Sequence, residues 1–184
     1  MAEIKQTERV TLVMKSAFAY SYNYKHEFVM PEHLLLSLVD DSNFNTALSV
    51  ICSPPTFANK IEDFLKDIEM VPNAFDYQPE LSIQSRQLID NALKHVEDSG
   101  AESTDIPHLV RGLLELDDSW AAYYLKDCLG DQEAYFLSDL IDYCEYDDML
   151  FDENDFIEAK SQKKSWKKLV TCMNDIYQRH NPLI

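Results

Sequence analysis

The stretch KHEFVMPEHLLLSLV, residues 25–39, contains both the strongest structural pattern and the most reactive-looking residues of the chain. Pro31 suits the first turn of a helix, where its missing N–H has no intrahelical partner. The run EHLLLSLV behind it is almost wholly apolar, which predicts a short helix at the centre of the core. Two histidines and two carboxylates surround the proline: His26, Glu27, Glu32 and His33. This polar cluster is therefore either a chemical site or the start of a helical building block.

The same building block recurs 75 residues later without a gap. His33 aligns with His108, and the apolar residues that follow each histidine align as well. Internal repeats of this kind indicate one supersecondary unit used twice, with each copy covering apolar surface of the other. The sequence predicts two units of about four helices each, residues 1–70 and 80–142, packed as a pseudo-twofold pair.

The repeat divides the polar cluster into two kinds of residue. Because His33 recurs together with the core pattern, we interpret it as scaffold that bonds backbone groups near a helix N-terminus. The cluster of His26, Glu27 and Glu32 belongs to the first copy, since the second copy keeps only one carboxylate. A zincin site needs histidines four apart on one helix, whereas His26 and His33 are seven apart with a proline between them. We therefore expect no metal ligands among these residues.

The remaining sequence up to residue 142 also has helical periodicity. In the first segment the apolar residues lie three and four apart, which predicts one buried helical stripe. Sustained alternation with period two is lacking, so the sequence predicts no sheet and an all-α fold. Helix ends are predicted at four positions: Ser53 and Ser82 as N-caps, Pro54 in a first turn and Gly100 as a C-terminal stop.

Charge and hydropathy exclude two classes of partner. The formal net charge is −17, whereas binding of nucleic acid requires clustered lysines and arginines. The apolar runs are far too short for a membrane span, and the first ten residues lack the apolar region of a secretory signal. The sequence therefore predicts a protein with neither nucleic acid nor a membrane as its ligand.

Cysteine and glycine usage excludes several kinds of site. The four cysteines are scattered without a CxxC spacing, which predicts a reducing compartment, no disulfide framework and no cysteine-based zinc site. The chain has only three glycines, whereas a Walker A loop or a dinucleotide fingerprint needs several within a few residues. A GxSxG nucleophile elbow is excluded for the same reason.

The composition changes after residue 142. Residues 142–158 hold eight acidic residues and no basic one, and KSQKKSWKK follows with five lysines. An acidic block followed by a basic block does not form a core and is typical of a linker. We therefore predict a double-repeat domain over 1–142, a linker over 143–165 and the start of a further module over 166–184.

Several segments, in order, resemble the N-terminal domain of the Clp-type AAA+ unfoldases, and the ClpA branch most of all. They cover nearly all of residues 1–142. The matching segments are SAFAY (16–20), HEFVMPEHLLLSLV (26–39), QPELSIQ (78–84), HVEDSG (95–100) and SWAAYYL (119–125). The terminal NPLI is similar to the start of the first ATPase module in such proteins.

The resemblance implies an all-α domain, without catalysis, metal or cofactor of its own, tethered to a cytoplasmic hexameric ring. That ring uses ATP and Mg²⁺, unfolds proteins and feeds them to the ClpP peptidase. The implied partners are a ClpS-like adaptor and protein substrates. By motif, the adaptor-docking positions of the family correspond to His26, Glu27, Glu32, Gln78, Pro79, Leu81, Ser82 and Arg86.

Three alternatives stay open. ClpC relatives carry a Glu-His pair at the head of both short apolar helices and use the glutamates for phosphoarginine. Here the second repeat has Pro107-His108, so a paired phosphoarginine site is not expected, although ClpC-like docking of other adaptors or marked substrates is an alternative. The others are a metal-dependent hydrolase built on the polar cluster and a helical scaffold that acts alone. Tyr20, Tyr22 and Tyr24 could serve either an interface or the core.

Overall fold

The computed structural model describes residues 5–72 and 76–149. The chain separates into two compact units, Met1–Ile141 and Asp142–Ile184, and the first contains the first repeat and the second repeat up to residue 141. The backbone is helical through residue 149, past the predicted end of the second repeat. The remainder of the predicted linker and the predicted module over 166–184 lie outside the described residues.

Each repeat consists of four helices, as predicted. In the first these are α1 (Glu8–Asn23), α2 (Pro31–Asp40), α3 (Ser42–Ser49) and α4 (Pro54–Lys66). In the second they are α5 (Ile83–Ser99), α6 (Ile106–Leu114), α7 (Trp120–Leu129) and α8 (133–149), with a short 3-10 turn at Gly130–Gln132. The four predicted helix ends are confirmed: Ser53, Pro54, Ser82 and Gly100.

The prediction that no strands form is wrong in detail, because two pairs of two-residue parallel strands connect the repeats. The strands are β1 (Lys5–Gln6), β2 (Phe28–Val29), β3 (Glu80–Leu81) and β4 (Ser103–Thr104). β1 pairs with β4 and β2 pairs with β3. Two residues are too few to show alternation, and each partner lies in the other repeat, so sequence periodicity carries no sign of them.

The strand register confirms the pseudo-twofold relation between the repeats. Lys5 lies opposite Ser103, and Phe28 lies opposite Glu80. The 75-residue offset converts the first pair into the second, because β3 is the counterpart of β1 and β4 is the counterpart of β2. The first strand of each repeat therefore pairs with the second strand of the other repeat.

Helix α2 lies at the centre of the core, which explains its lack of a polar face. All its residues from Pro31 to Val39 are buried. Helix α1 packs on it with a narrower stripe of buried residues: Val10, Val13, Ala17 and Ser21. A helix that is buried on all sides needs apolar residues around its whole circumference, which is what the run LLLSLV provides.

Helix α6 approaches α5 more closely than a side chain at residue 112 would allow. A Cβ atom on Gly112 would lie 2.4 Å from the Leu88 carbonyl oxygen and 3.0 Å from the Ala92 backbone nitrogen. The Asn91 Nδ2 group donates to the Gly112 carbonyl at 3.2 Å. In the first repeat the equivalent position is Ser37, so this close approach is particular to the second repeat.

An ion pair between the repeats reinforces the strand exchange. Arg9 in α1 donates through Nε and Nη2 to the Asp105 carboxylate, with the shorter contact at 2.8 Å. The Thr7 hydroxyl donates to the same carboxylate at 3.1 Å. Asp105 is also the N-cap of α6, so one carboxylate orders a helix start and joins the two repeats.

Candidate functional site

The β2–β3 pairing brings together the two sequence segments predicted to form the docking site. The Glu80 backbone N–H donates to the Glu27 carbonyl at 3.2 Å, and the Ser82 N–H donates to the Val29 carbonyl at 3.1 Å. The Ser85 hydroxyl donates to the same Val29 carbonyl at 2.6 Å. Segments 26–32 and 78–86 are thus neighbours on one backbone platform, which we call the corner.

The eight predicted residues fall into three groups of exposure. Glu27, Gln78 and Arg86 are exposed at the corner. Pro79, Leu81 and Ser82 are half-buried. His26 and Glu32 are only 2% and 3% exposed.

The expectation that His26 and Glu32 present polar groups at the surface is therefore not met. Sequence reasoning places a charged side chain in solvent by default, whereas both of these side chains find partners inside the protein. Their side chains lie in the protein interior and support the backbone of the corner. The contact of the corner with an adaptor stays a prediction.

His26 belongs to a buried hydrogen-bond chain that runs through His33. The Met30 N–H donates to His33 Nδ1 at 2.9 Å, so the proton of a neutral His33 is on Nε2. His26 Nδ1 accepts that proton's hydrogen bond, with the two nitrogens 2.9 Å apart. In the second repeat the Asp105 N–H donates to His108 Nδ1 at 2.8 Å, which confirms that the repeated histidines are scaffold.

His26 and His33, the two histidines of this hydrogen-bond chain, are both neutral. Burial, followed by the charge of His26, lowers the pKa of His33 to about 3. Burial also lowers the pKa of His26, and the Leu65 carbonyl opposes that shift. That carbonyl does not reach His26 Nε2 with hydrogen-bonding geometry, and the nitrogen is buried without a partner among the described residues.

The same contacts argue against the hydrolase alternative. Both ring nitrogens of His33 are engaged, so His33 has no free lone pair for a metal. Within the described part of the chain, histidine, cysteine and carboxylate side chains nowhere gather in threes with the geometry of a metal site. A catalytic metal centre at the polar cluster has no support in this geometry.

Glu32 connects the corner to the second repeat. Its Oε1 atom accepts a hydrogen bond from the Ala121 N–H at 3.3 Å, in the first turn of α7. A carboxylate at a helix N-terminus satisfies an orphan donor and interacts favourably with the helix dipole. Burial nevertheless raises the pKa of Glu32, while the N–H groups of Glu32 and Ala121 hold it down.

An open cleft of about 400 Å³ lies beside Glu27. It combines three carboxylates with apolar and aromatic groups, which suits a positively charged segment that also has apolar side chains. Its lining residues are Glu27, Glu69, Met70, Val71, Pro72, Asp76 and Tyr77. Apart from Glu27, sequence reasoning missed these residues, because it assigned the segment after α4 to a connecting loop.

A second surface feature is a group of four aromatic rings, which we call the aromatic patch: Phe64, Trp120, Tyr123 and Tyr124. Neighbouring ring centroids lie 5.8–6.2 Å apart. Trp120 and Tyr123 are 56% and 57% exposed. The Glu32 carboxylate holds the start of α7, which carries three of the four rings.

The three tyrosines of α1 and its C-terminal end divide between the two roles left open by the sequence. The Tyr20 hydroxyl donates to the Asp40 carboxylate, and the Tyr24 ring stacks on His26 with centroids 5.5 Å apart. Both rings are half-buried, whereas Tyr22 is 55% exposed and lies 5.9 Å from the Tyr77 ring of the cleft. Tyr20 and Tyr24 therefore support the fold, and Tyr22 extends the surface around the cleft.

Comparison with known proteins agrees with this architecture. Residues 5–128 match the family described as the Clp repeat (R) N-terminal domain. The Hsp104 N-terminal domain from Candida albicans is similar with a TM-score of 0.61 and 16% identity, over 74% of this chain and 89% of that one. The N-terminal domain of the chaperone ClpD from Arabidopsis thaliana gives a TM-score of 0.59 and 14% identity, over 77% and 95% of the two chains.

A third solved structure comes from work on a malarial protein secretion system, with a TM-score of 0.59 and 13% identity. It covers 83% of this chain and 97% of its own. Identities of 13–16% show a shared fold and no more. Among the described helices, none combines the length and the apolar character that crossing a membrane requires.

Proposed function

The chain belongs to the Clp repeat N-terminal domain family of Clp-type chaperones, and from that premise we propose that it docks adaptors and substrates for a ClpA-like unfoldase. The adaptor is ClpS-like, and the full-length cytoplasmic hexamer uses ATP and Mg²⁺ and passes unfolded chains to ClpP. This domain contributes recognition, while the chemistry belongs to the ring.

The observation that carries the proposal is the composition of the corner. Two segments that are about fifty residues apart in sequence meet there through backbone hydrogen bonds, which fix the backbones that carry their exposed side chains. Glu27, Gln78 and Arg86 then offer an acid, an amide and a base on one rigid platform. Pre-organised polar groups at a surface set partner choice and orientation more than they set raw affinity.

Reversing the charge of Glu27 tests the assignment of the corner. Glu27 is exposed beside Glu69 and Asp76, so a basic group of the adaptor would meet three carboxylates here. We expect Glu27→Lys to weaken binding of the purified ClpS-like adaptor from the same organism about tenfold, which is about 1.4 kcal/mol. Isothermal titration calorimetry with both purified proteins measures this change.

Glu97→Lys is the matched control, because Glu97 is also an exposed acid and lies near the C-terminal end of α5. Its affinity for the adaptor is expected to equal that of the parent. Unchanged binding by Glu27→Lys, or an equal loss in both variants, would remove the corner from the docking surface.

The aromatic patch favours a second candidate function, direct binding of unfolded polypeptide. Trp and Tyr are the residues that most often dominate binding energies, and a contiguous exposed aromatic group marks an interaction site. The exposed carboxylates of Asp117 and Asp118 stand just before α7. An aromatic surface with acids beside it suits extended segments that carry apolar and basic residues.

Removing the two exposed rings tests this candidate. We expect the Trp120→Ala, Tyr123→Ala double variant to bind reduced, carboxymethylated casein at least about tenfold more weakly, as loss of hot-spot residues does. Fluorescence anisotropy of the labelled casein reports the affinity. Tyr135→Ala removes a tyrosine that is 60% exposed outside the patch, and it should leave binding unchanged. Equal affinity of the parent and the double variant would rule out the patch.

A further inference from the structure

Two cysteines from different repeats meet in the folded protein. Cys52 lies between α3 and α4, and Cys128 lies in the last turn of α7. Their Sγ atoms are 2.6 Å apart, although 76 positions separate them in sequence. This distance is only about 0.6 Å longer than a disulfide bond.

The pseudo-twofold relation explains why these distant residues meet. The repeat counterpart of Cys52 is Asp127, the neighbour of Cys128. In a twofold arrangement a residue lies close to its own counterpart only near the axis, so both thiols lie where the repeats face each other. The sequence-based expectation of no disulfide rested on spacing along the chain, which carries no trace of this meeting.

The surroundings of the two thiols distinguish their chemical roles. Both side chains are half-buried, so a small thiol reagent can reach them. Burial, followed by the hydrogen bond that it donates to Cys52, raises the pKa of Cys128 to about 12, and Lys60 opposes this shift. Cys128 therefore keeps its proton, which leaves Cys52 as the thiol that attacks the oxidant first.

We propose that Cys52 and Cys128 are a modification site at which a disulfide oxidant such as oxidised glutathione forms an intramolecular disulfide between the repeats. The Cys52 thiolate attacks one sulfur of the oxidant, which forms a mixed disulfide and expels one thiolate. Cys128 then loses its proton to solvent and attacks the Cys52 sulfur, which releases the second thiolate. The two protein thiols are oxidised, and one disulfide of the oxidant is reduced to two thiols.

The bond would close a long loop between Cys52 and Cys128 that contains α4 of the first repeat and most of the second repeat. It ties the turn between α3 and α4 to α7, the helix that carries most of the aromatic patch. Closing a loop of this length restricts the unfolded chain strongly, so we expect the oxidised protein to melt about 10 °C higher than the reduced protein. The bond would be absent where glutathione is kept reduced and would form when the poise becomes oxidising.

Oxidation of the full chain with oxidised glutathione tests the proposal. After blocking free thiols with iodoacetamide and digestion without reductant, mass spectrometry should find the Cys52 peptide linked to the Cys128 peptide. Differential scanning calorimetry should show the higher Tm, and dithiothreitol should reverse it. Cys52→Ser and Cys128→Ser should each abolish the linked peptide and the Tm difference, while Cys172→Ser should retain both.

Three results would overturn the proposal. The first is full alkylation of Cys52 and Cys128 after treatment with the oxidant. The second is a glutathione adduct on Cys52 that Cys128 does not displace. The third is a disulfide that pairs either residue with Cys144, with Cys172 or with a second protein molecule. The proposal is independent of adaptor or substrate docking, since none of these measurements involves a partner.

Discussion

Gly112→Val is expected to lower the free energy of unfolding by about 3 kcal/mol, because the added side chain enters the backbone of α5. A Cβ atom at this position would already lie 2.4 Å from the Leu88 carbonyl oxygen. Backbone atoms in the middle of a helix cannot move aside as a side chain can, so α5 and α6 must separate. Urea unfolding followed by circular dichroism measures the loss.

For the smaller change Gly112→Ala, a gain or a loss of stability shows whether α5 and α6 are in close contact. In an ordinary helix interior, replacing glycine with alanine stabilises by about 1 kcal/mol. Here we expect a loss instead, since the methyl group meets the same carbonyl. Ser37→Ala, at the equivalent place in the first repeat, serves as control and should cost no more than about 1.5 kcal/mol for the lost hydrogen bond to the His33 carbonyl. A gain in stability on Gly112→Ala would show that the helices are not in close contact.

Acidification from pH 7 to pH 4 is expected to reduce the contribution of His33 to stability by about 3 kcal/mol. The pKa of His33 is lowered from 6.5 to about 3 in the folded protein. The unfolded chain therefore binds a proton at pH 4 that the folded chain does not, so stability is lost as the pH falls below 6.5. The loss levels off near pH 3, where the folded histidine also becomes protonated.

The carboxyl groups with raised pKa values act in the opposite direction, so the His33 contribution must be measured as a difference. Burial raises the pKa of Glu32, Asp40 and Asp41, and folding gains stability as these groups take up protons at low pH. Urea unfolding of the parent and of His33→Gln at several pH values removes this shared background. The variant should be less stable at pH 7 and should lose less stability on acidification. Parallel pH profiles would show that a buried neutral His33 is not the origin of the effect.

The fold was largely predictable because short sequence patterns indicate each helix and recur in both repeats. The histidine and the apolar run that follows it recur at one spacing, so both core helices could be placed before any contact was known. Cap residues such as Ser82 and Gly100 act within one helical turn, which is why sequence located those ends.

The candidate site was only half predictable, because its geometry depends on contacts between the repeats. The corner was located from matching motifs, but the burial of Glu32 depends on the start of α7, almost ninety residues away. The burial of His26 was not predicted because its Nδ1 meets His33 only once the chain has turned into α2. The aromatic patch and the cysteine pair likewise consist of residues whose local sequence does not indicate that they meet in the folded protein.

The exchange of strands between the repeats has a consequence for synthesis on the ribosome. β1 emerges before the first helix, yet its partner Ser103–Thr104 follows about a hundred residues later. β2 likewise waits for Glu80–Leu81. The nascent first repeat therefore keeps two open backbone edges until much of the second repeat has been made, and such long-range pairing slows folding. We expect the two repeats to reach their native state together, after the second repeat has been synthesised.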